Sequence, residues 1–355
     1  MSEQLWLFPT QSRAVPSLPA KAATALAQAR GVSFFDLPCR SVLNRCESER
    51  MPFEWTINPY RGCEFGCTYC YARYSHEYLG MEDWLDFQNK IFVKREAPSR
   101  LARELRRVRL DEEAIAIGTV TDPYQPAERD YRITRRILEV LATARGLRLS
   151  ITTKSTLVAR DLDLLQAIAS CGRLTINVSL ITLNRRIARI LEPRAPTPEK
   201  RLATIRTLAG AGLRVGVFAM PVLPGLTDSP RALEALVSRS AEAGASHFAA
   251  QVLFLRGSAR RGFLMTLERN FPALAGRYRR IYGESAYAAR FIRDELAARV
   301  AELKVKYGLA SAGNRSGRTE RPPAESSTPS LRWEGSEGTG PGIEARSPSS
   351  PPSAP

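Results

Sequence analysis

The feature that most constrains this chain is an alternation, repeated along its middle, of short β-branched runs with longer amphipathic stretches. The runs are Trp55–Tyr60, Ala114–Val120, Arg148–Thr153, Leu174–Leu180, Leu213–Met220 and His247–Leu253. Helical patterns lie near Tyr131–Ala144 and at Asp161–Ser170, Pro198–Gly210 and Pro230–Ala243. Strands this short, each feeding a helix, predict a parallel sheet with right-handed crossovers. Six such units in about 200 residues predict an α/β fold, a partial (β/α)6 barrel shorter than the eight-fold form. In such barrels the chemistry gathers at the C-terminal ends of the strands.

The flanks differ in kind. Residues 1–50 carry scattered prolines and read as an irregular leader with one helical patch around Ala20–Arg30. Residues 51–310 form the core domain. Residues 311–355 are mostly Ser, Pro, Gly and Glu, a composition that cannot offset its ordering entropy, so a disordered tail is expected. No run approaches the roughly 18 apolar residues of a membrane helix, and no membrane association is expected. The N-terminus lacks a secretory signature, which predicts a cytoplasmic protein. Six cysteines in such a chain point to metal or redox chemistry rather than to a disulfide scaffold.

Three of those cysteines sit in NPYRGCEFGCTYCYAR, residues 58–73. Cys63, Cys67 and Cys70 are separated by three and then two residues on a loop punctuated by Gly62 and Gly66. Three thiolates so placed can hold three irons of a 4Fe–4S cube and leave the fourth iron open. The alternative is zinc, which needs a fourth ligand, and His76 is the nearby candidate.

The Cys-x3-Cys-x2-Cys spacing, with Tyr69 before the third cysteine and a strand before the first, resembles the signature of the radical S-adenosylmethionine superfamily. The wider context is similar to the spore-photoproduct-lyase-like branch of uncharacterised bacterial proteins. Further matching stretches are LDFQNKIFVK (85–94), GTVTDPYQPAE (118–128), TRRILEVL (134–141), TTKS (152–155), EPRAPTPEKRL (192–202) and AMPVLPGLTD (219–228). The resemblance spans about Leu43 to Leu255. It implies a radical-SAM barrel, a 4Fe–4S cluster on Cys63, Cys67 and Cys70, S-adenosylmethionine, and a one-electron reductant of flavodoxin or ferredoxin type. The reduced cluster would split S-adenosylmethionine to a 5′-deoxyadenosyl radical that abstracts hydrogen from a substrate.

The resemblance also places Tyr69 near the adenine. Lys154 and Ser179 end the third and fourth strands and are candidates for cofactor contacts. Arg194 is a candidate for bidentate pairing with the methionine carboxylate; rim salt bridges from Lys154 and Arg194 to Glu192 or Asp122 are the alternative. On the substrate side, TDPYQPAE offers Asp122, Tyr124, Gln125 and Glu128, or else packs the first strands together. His76 and Glu77 follow the cluster, for proton transfer or to hold the loop. His247 opens a strand and is expected to pack there. Spore photoproduct lyase returns a hydrogen atom through a cysteine. Of the remaining cysteines here, Cys39 and Cys46 lie in the leader, and Cys171, opposite the site, is expected to be buried and inert. The lyase reaction is therefore not inherited with the resemblance.

Gln4-Leu5-Trp6-Leu7-Phe8 resembles the short peptide with which bacterial repair proteins bind the sliding clamp. Leu7 and Phe8 would fill an apolar pocket while Gln4 hydrogen-bonds at its edge; a hydrophobic staple onto the barrel is the alternative. The net charge of +16 resides before residue 311, since the tail carries five Arg and five Glu. Arg100, Arg103 and Arg107 would share one helical face, with Arg132, Arg135 and Arg136 partly sharing the next. Such faces attract phosphate, or are simply a solvated outer surface. The expectation is a radical S-adenosylmethionine enzyme acting on an unidentified substrate, with nucleic acid leading. The rival is an iron–sulfur binding or redox protein recruited to DNA through the clamp peptide.

Overall fold

The computed structural model describes residues 23–29, 31–48, 51–81, 83–108, 110 and 113–309. All lie in the first of the two units into which the chain divides, residues 1–314. The tail beyond 310 and the clamp-like peptide fall outside the described residues. The strands are β1 (Thr24–Ala29), β2 (Val32–Asp36), β3 (Asn44–Arg45), β4 (Trp55–Ile57), β5 (Tyr60–Arg61), β6 (Lys90–Val93), β7 (Ala114–Ile117), β8 (Arg148–Thr153), β9 (Arg173–Ser179), β10 (Val215–Val222) and β11 (His247–Val252).

The larger sheet runs β11-β10-β9-β8-β7-β4-β3. Its members from β4 to β11 are parallel, and β3 lies antiparallel on β4. All six expected strands are present in the expected order, joined by helices that include Ile133–Leu141, Leu162–Cys171, Pro198–Gly210 and Pro230–Glu242. This is the expected partial (β/α)6 barrel. Its outward strand residues, such as Ile151, Ile176 and Val217, are fully buried beneath Ile137, Leu165 and Ile205 of those helices. Each such aliphatic contributes about 2 kcal/mol. Local chemistry sets the helix starts: Asn184 accepts from the amides of Arg186 and Ile187, and Ser229 caps the helix that Pro230 opens.

The leader contradicts its reading in part. Ala20–Arg30 was expected to be helical because alanine favours helix, yet Thr24–Ala29 pairs as a strand with β2 across Gly31, whose φ is +74°. A six-residue segment cannot nucleate a helix unaided, and the partner strand decides. The leader is not irregular here: β1 and β2 join β6 and β5 in a four-stranded second sheet, order β1-β2-β6-β5. After β11, the helices Gly257–Asn270, Pro272–Tyr282 and Arg290–Lys306 complete the described chain. The last packs against β11.

Candidate functional site

The cysteine loop begins where the backbone changes sheets. β4 ends at Ile57 in the barrel, and β5 pairs with β6 in the second sheet from Tyr60. The loop is thus anchored at both sides, with the Cys63 amide donating to Phe87 O at 2.9 Å. Gly62 has φ +87°, and a Cβ there would meet Lys90 O at 2.8 Å and Phe87 O at 2.9 Å, so no larger residue fits the turn. Arg73, 1% exposed, donates from Nη2 to Cys67 O at 2.9 Å and to Gln88 Oε1 at 2.9 Å. Its guanidinium lies 4.6 Å from the Trp84 ring centroid.

Cys63, Cys67 and Cys70 line one cavity of about 240 Å³ at the C-terminal ends of the strands. Tyr69, Asp122, Lys154 and Ser179 line it as well. Burial pushes the Cys63 thiol well above its ordinary range, and Cys67 up to about 12 despite the opposing charge of Lys154. Thiolates therefore form here only against a bound cation. The donor set fits a cube held at three corners. Three sulfurs border a common space, and His76 is not among the residues lining it: its ring packs on Phe87 and Phe92 with Nε2 2.9 Å from Lys90 O. Among the described residues no three His, Cys, Asp or Glu side chains converge as a single ion requires.

Glu192 and Arg201 lie behind the loop, 2% and 1% exposed. They pair at 2.5 Å, and the Tyr69 hydroxyl donates to the other oxygen of Glu192. Burial opposes the Glu192 charge, but Arg201 and Lys154 outweigh it and hold the carboxyl below its usual range. Lys154 stands with its ammonium 5.9 Å from the Tyr69 ring centroid. Burial would lower its pKa; Cys67 and Glu192 reverse that and raise it. Asp122 accepts from Thr153 Oγ1 and the Lys154 amide, both at 2.7 Å, and from the Tyr124 amide at 2.9 Å.

Arg194, Tyr124, Gln125 and His76 do not line the cavity. Arg194 is exposed and turns outward to Gln88 O and Asn89 Oδ1, both 3.3 Å. Glu192, its supposed rim partner, is taken by Arg201, which a rigid helix presents to it. Tyr124 is fully buried outside the cavity, in the field of Asp161 and Glu128. Gln125 is a brace: Nε2 donates to Gly62 O at 3.1 Å, and Oε1 accepts the Glu64 amide at 2.9 Å. Glu128 binds Arg160 at 2.9 Å and the Thr134 amide at 2.8 Å. TDPYQPAE is thus chiefly a structural loop with Asp122 and Thr121 at the cavity edge. His76 packs edge-on to Phe87 and Phe92, and burial lowers its pKa to about 4. Cys171 is exposed rather than buried, because its helix buries Leu165 and Ile168 and leaves the last turn outside. The first arginine face is broken too, since the helix Ala97–Glu104 ends before Arg107. On the second, Arg135 is engaged by Asp161 and Asp163. Gln4, Leu5, Leu7 and Phe8 lie outside the described residues.

Sequence reading missed Arg201 as the partner of Glu192, Arg73, and the cavity wall, which includes Phe53, Ser150, Thr152, Phe218, Met220, Gln251 and Phe254. Strand alternation could have found Ser150 and Thr152, the inward set of β8. Nothing local pairs Glu192 with Arg201, whose segment is broken by prolines.

Fold and site together define a partial-barrel enzyme built around a three-cysteine loop. A family model described as the radical SAM superfamily matches residues 57–236, and the chain belongs to that superfamily. Its cofactors are accordingly a 4Fe–4S cluster and S-adenosylmethionine. An uncharacterised protein of Mycobacterium tuberculosis (strain ATCC 25618 / H37Rv) is 42% identical over 281 residues, 79% of this chain and 82% of that protein. One from Methanocaldococcus jannaschii is 29% identical over 219 residues, 62% of this chain and 77% of the other. A spore photoproduct lyase variant with bound AdoMet and dinucleoside spore photoproduct shares the fold, with a TM-score of 0.54 and 16% identity. The match covers 77% of this chain and 79% of that one. Among the described residues no helix is long and apolar enough to cross a membrane.

Proposed function

We propose that this enzyme removes a hydrogen atom from a nucleoside unit of nucleic acid, with Cys63, Cys67 and Cys70 as the three cluster ligands. The observation that carries the ligand assignment is the convergence of these thiols with Tyr69, Lys154 and Ser179 on one cavity. When bound and reduced, the cluster supplies the electron that cleaves S-adenosylmethionine to a 5′-deoxyadenosyl radical. Lys154 offers its ammonium to the carboxylate of S-adenosylmethionine, the role first given to Arg194. Tyr69 and Ser179 border the same molecule. Glu192 and Arg201 fix the Tyr69 ring, and the apolar wall of Phe53, Phe65, Phe218 and Phe254 keeps water from the radical.

Three observations support the substrate class: the basic charge, the aromatic cavity wall, and a fold neighbour that holds a dinucleoside. A flavodoxin- or ferredoxin-type protein delivers the electron. Residues 4–8 recruit the enzyme to a sliding clamp, and a peptide of residues 1–12 that failed to bind the clamp would remove that partner. The test of the main reading is anaerobic reconstitution, reduction with dithionite, and incubation with deuterated DNA, RNA or protein. Deuterium in 5′-deoxyadenosine from the nucleic acids alone is expected. Label arriving only from protein would overturn the substrate class, and the absence of S-adenosylmethionine cleavage by a fully loaded cluster would overturn the enzyme.

A further inference from the structure

The interior of a (β/α) barrel is ordinarily filled by branched apolar side chains. One layer here is polar and continuous. Asn177 on β9 is paired with Gly216 on β10, and Gly216 with His247 on β11. The His247 ring passes over Gly216, where a Cβ would lie 1.9 Å from Nε2, and reaches Asn177 Oδ1 at 2.8 Å. The Asn177 amide then donates from Nδ2 to Ser150 Oγ at 2.9 Å. At the other end, the Ser246 hydroxyl lies 3.0 Å from His247 Nδ1. It also lies 2.9 Å from Val215 O, a carbonyl that already accepts the Ser246 amide at 2.7 Å.

The chain has a direction. Asn177 Oδ1 only accepts, so His247 Nε2 carries its proton and Nδ1, beside the Ser246 hydroxyl, is the ring's accepting nitrogen. Burial, reinforced by Arg214 and Lys304, lowers the imidazole pKa to about 4 and keeps it neutral. Ser150 receives the Asn177 donor, and no acceptor among the described residues takes its own proton. Its side chain lines the cavity. It stands two residues before Thr152 on β8, so about 7 Å deeper at ~3.3 Å per residue, and Lys154 follows just past the strand's end. That depth separates it from the level of the thiols.

We propose that the Ser150 hydroxyl is a substrate-recognition donor at the cavity floor, hydrogen-bonding a carbonyl oxygen of the substrate, with Asn177 and His247 as positioning residues. A neutral oxygen suits the place: an anion there would be desolvated with one hydroxyl for company, while the cation Lys154 stands two layers above. The proposal rests on the reading of this cavity as the substrate site, and it commits to a carbonyl rather than to a nucleobase.

The test is equilibrium dialysis of the cluster-loaded enzyme, with S-adenosylmethionine bound, against benzamide, thymidine and toluene. Ser150→Ala should weaken benzamide about five- to tenfold, the range of one neutral hydrogen bond, and leave toluene within twofold. Asn177→Ala should reproduce that selective loss, and the double variant should add nothing further. A merely structural role would weaken all three probes together. Unchanged benzamide affinity in Ser150→Ala, equal losses for toluene, or no benzamide binding at all would overturn the proposal. If benzamide responds while thymidine does not, the hydroxyl stands and the nucleoside reading falls.

Discussion

Two loops leave neighbouring strands at the same end of the barrel: residues 58–73 after β4 and residues 121–128 after β7. Both are rich in polar groups, both are largely buried, and both read from sequence as suppliers of site residues. The first turns Cys63, Cys67, Tyr69 and Cys70 to the cavity. The second turns its groups to the first loop's backbone. Thr121 Oγ1 donates to Gly62 O at 2.6 Å, Gln125 holds Gly62 O and the Glu64 amide, and Ala127 donates to Glu64 Oε1 at 2.6 Å. Asp122 borders the cavity as well, and its own bonds go to Thr153 and to the Lys154 and Tyr124 amides. A buried brace and a reactive loop thus demand equally specific polar residues, and only the direction of the side chains separates them.

The largest expected effect lies on the reactive side. Cys67→Ala should leave purified protein with no stable 4Fe–4S cluster and no detectable S-adenosylmethionine cleavage, read by iron and sulfide analysis and by 5′-deoxyadenosine yield. Retention of a full cluster would break the comparison at its root. The brace should fail differently. Gln125→Ala strands the buried Glu64 amide, while Gly62 O and Thr121 Oγ1 keep their bond to each other. At 1–3 kcal/mol for a buried group left unpaired, a loss of about 2 kcal/mol is expected. Chemical denaturation should show that loss, while turnover per intact cluster stays within about threefold of wild type, a modest change on the catalytic scale. Turnover per cluster falling with stability kept would make Gln125 a participant.

This difference marks where the sequence was legible. The six barrel strands could be read because outward β-branched residues and capped helices are local signals, and the ligand loop because cluster spacing is local too. Arg201 and Glu192 meet only through the fold, across a proline-broken segment. Arg194 has the same charge and lies in the same motif, so no periodicity could tell it from Arg201. Alanine content misread Thr24–Ala29 because strand pairing with β2 is a tertiary event. His76 looked like a ligand or an acid because its sequence distance from Cys70 is short, whereas its ring is turned into the second sheet.

His76 also braces the loop, from beneath Gly62, and its titration provides the next test. Its folded pKa, about 4, lies below the ordinary 6.5 through burial, and His247 behaves alike. A ring kept neutral in the folded state favours unfolding once the unfolded chain can take the proton. The stabilisation is whole above pH 6.5, falls as pH drops toward 4, and is constant below. Each histidine accounts for about 3 kcal/mol over that window. Denaturation free energies measured from pH 7 to 4 should fall with a slope of about two protons, and His76→Gln should reduce the slope to about one. An unchanged slope would show that His76 is solvated and does not brace the loop.

The smallest effect is expected at Arg194, and there the comparison is sharpest. Lys154 and Arg194 are both cations beside the cysteine loop; the sequence offered Lys154 for cofactor contacts and Arg194 for the carboxylate of S-adenosylmethionine. Lys154 lines the cavity, and among the described residues no carboxylate lies within ion-pair distance of its ammonium. Arg194 faces away, on Gln88 and Asn89. A charge-assisted hydrogen bond in a water-poor site is worth about 1.5–3 kcal/mol. Lys154→Ala should therefore weaken S-adenosylmethionine binding at least tenfold, whereas Arg194→Ala should leave it within twofold. Equilibrium binding to the cluster-loaded protein decides between them. A large loss at Arg194 would mean that the EPRAP segment turns inward when the cofactor binds, and that the cavity seen here is its open form.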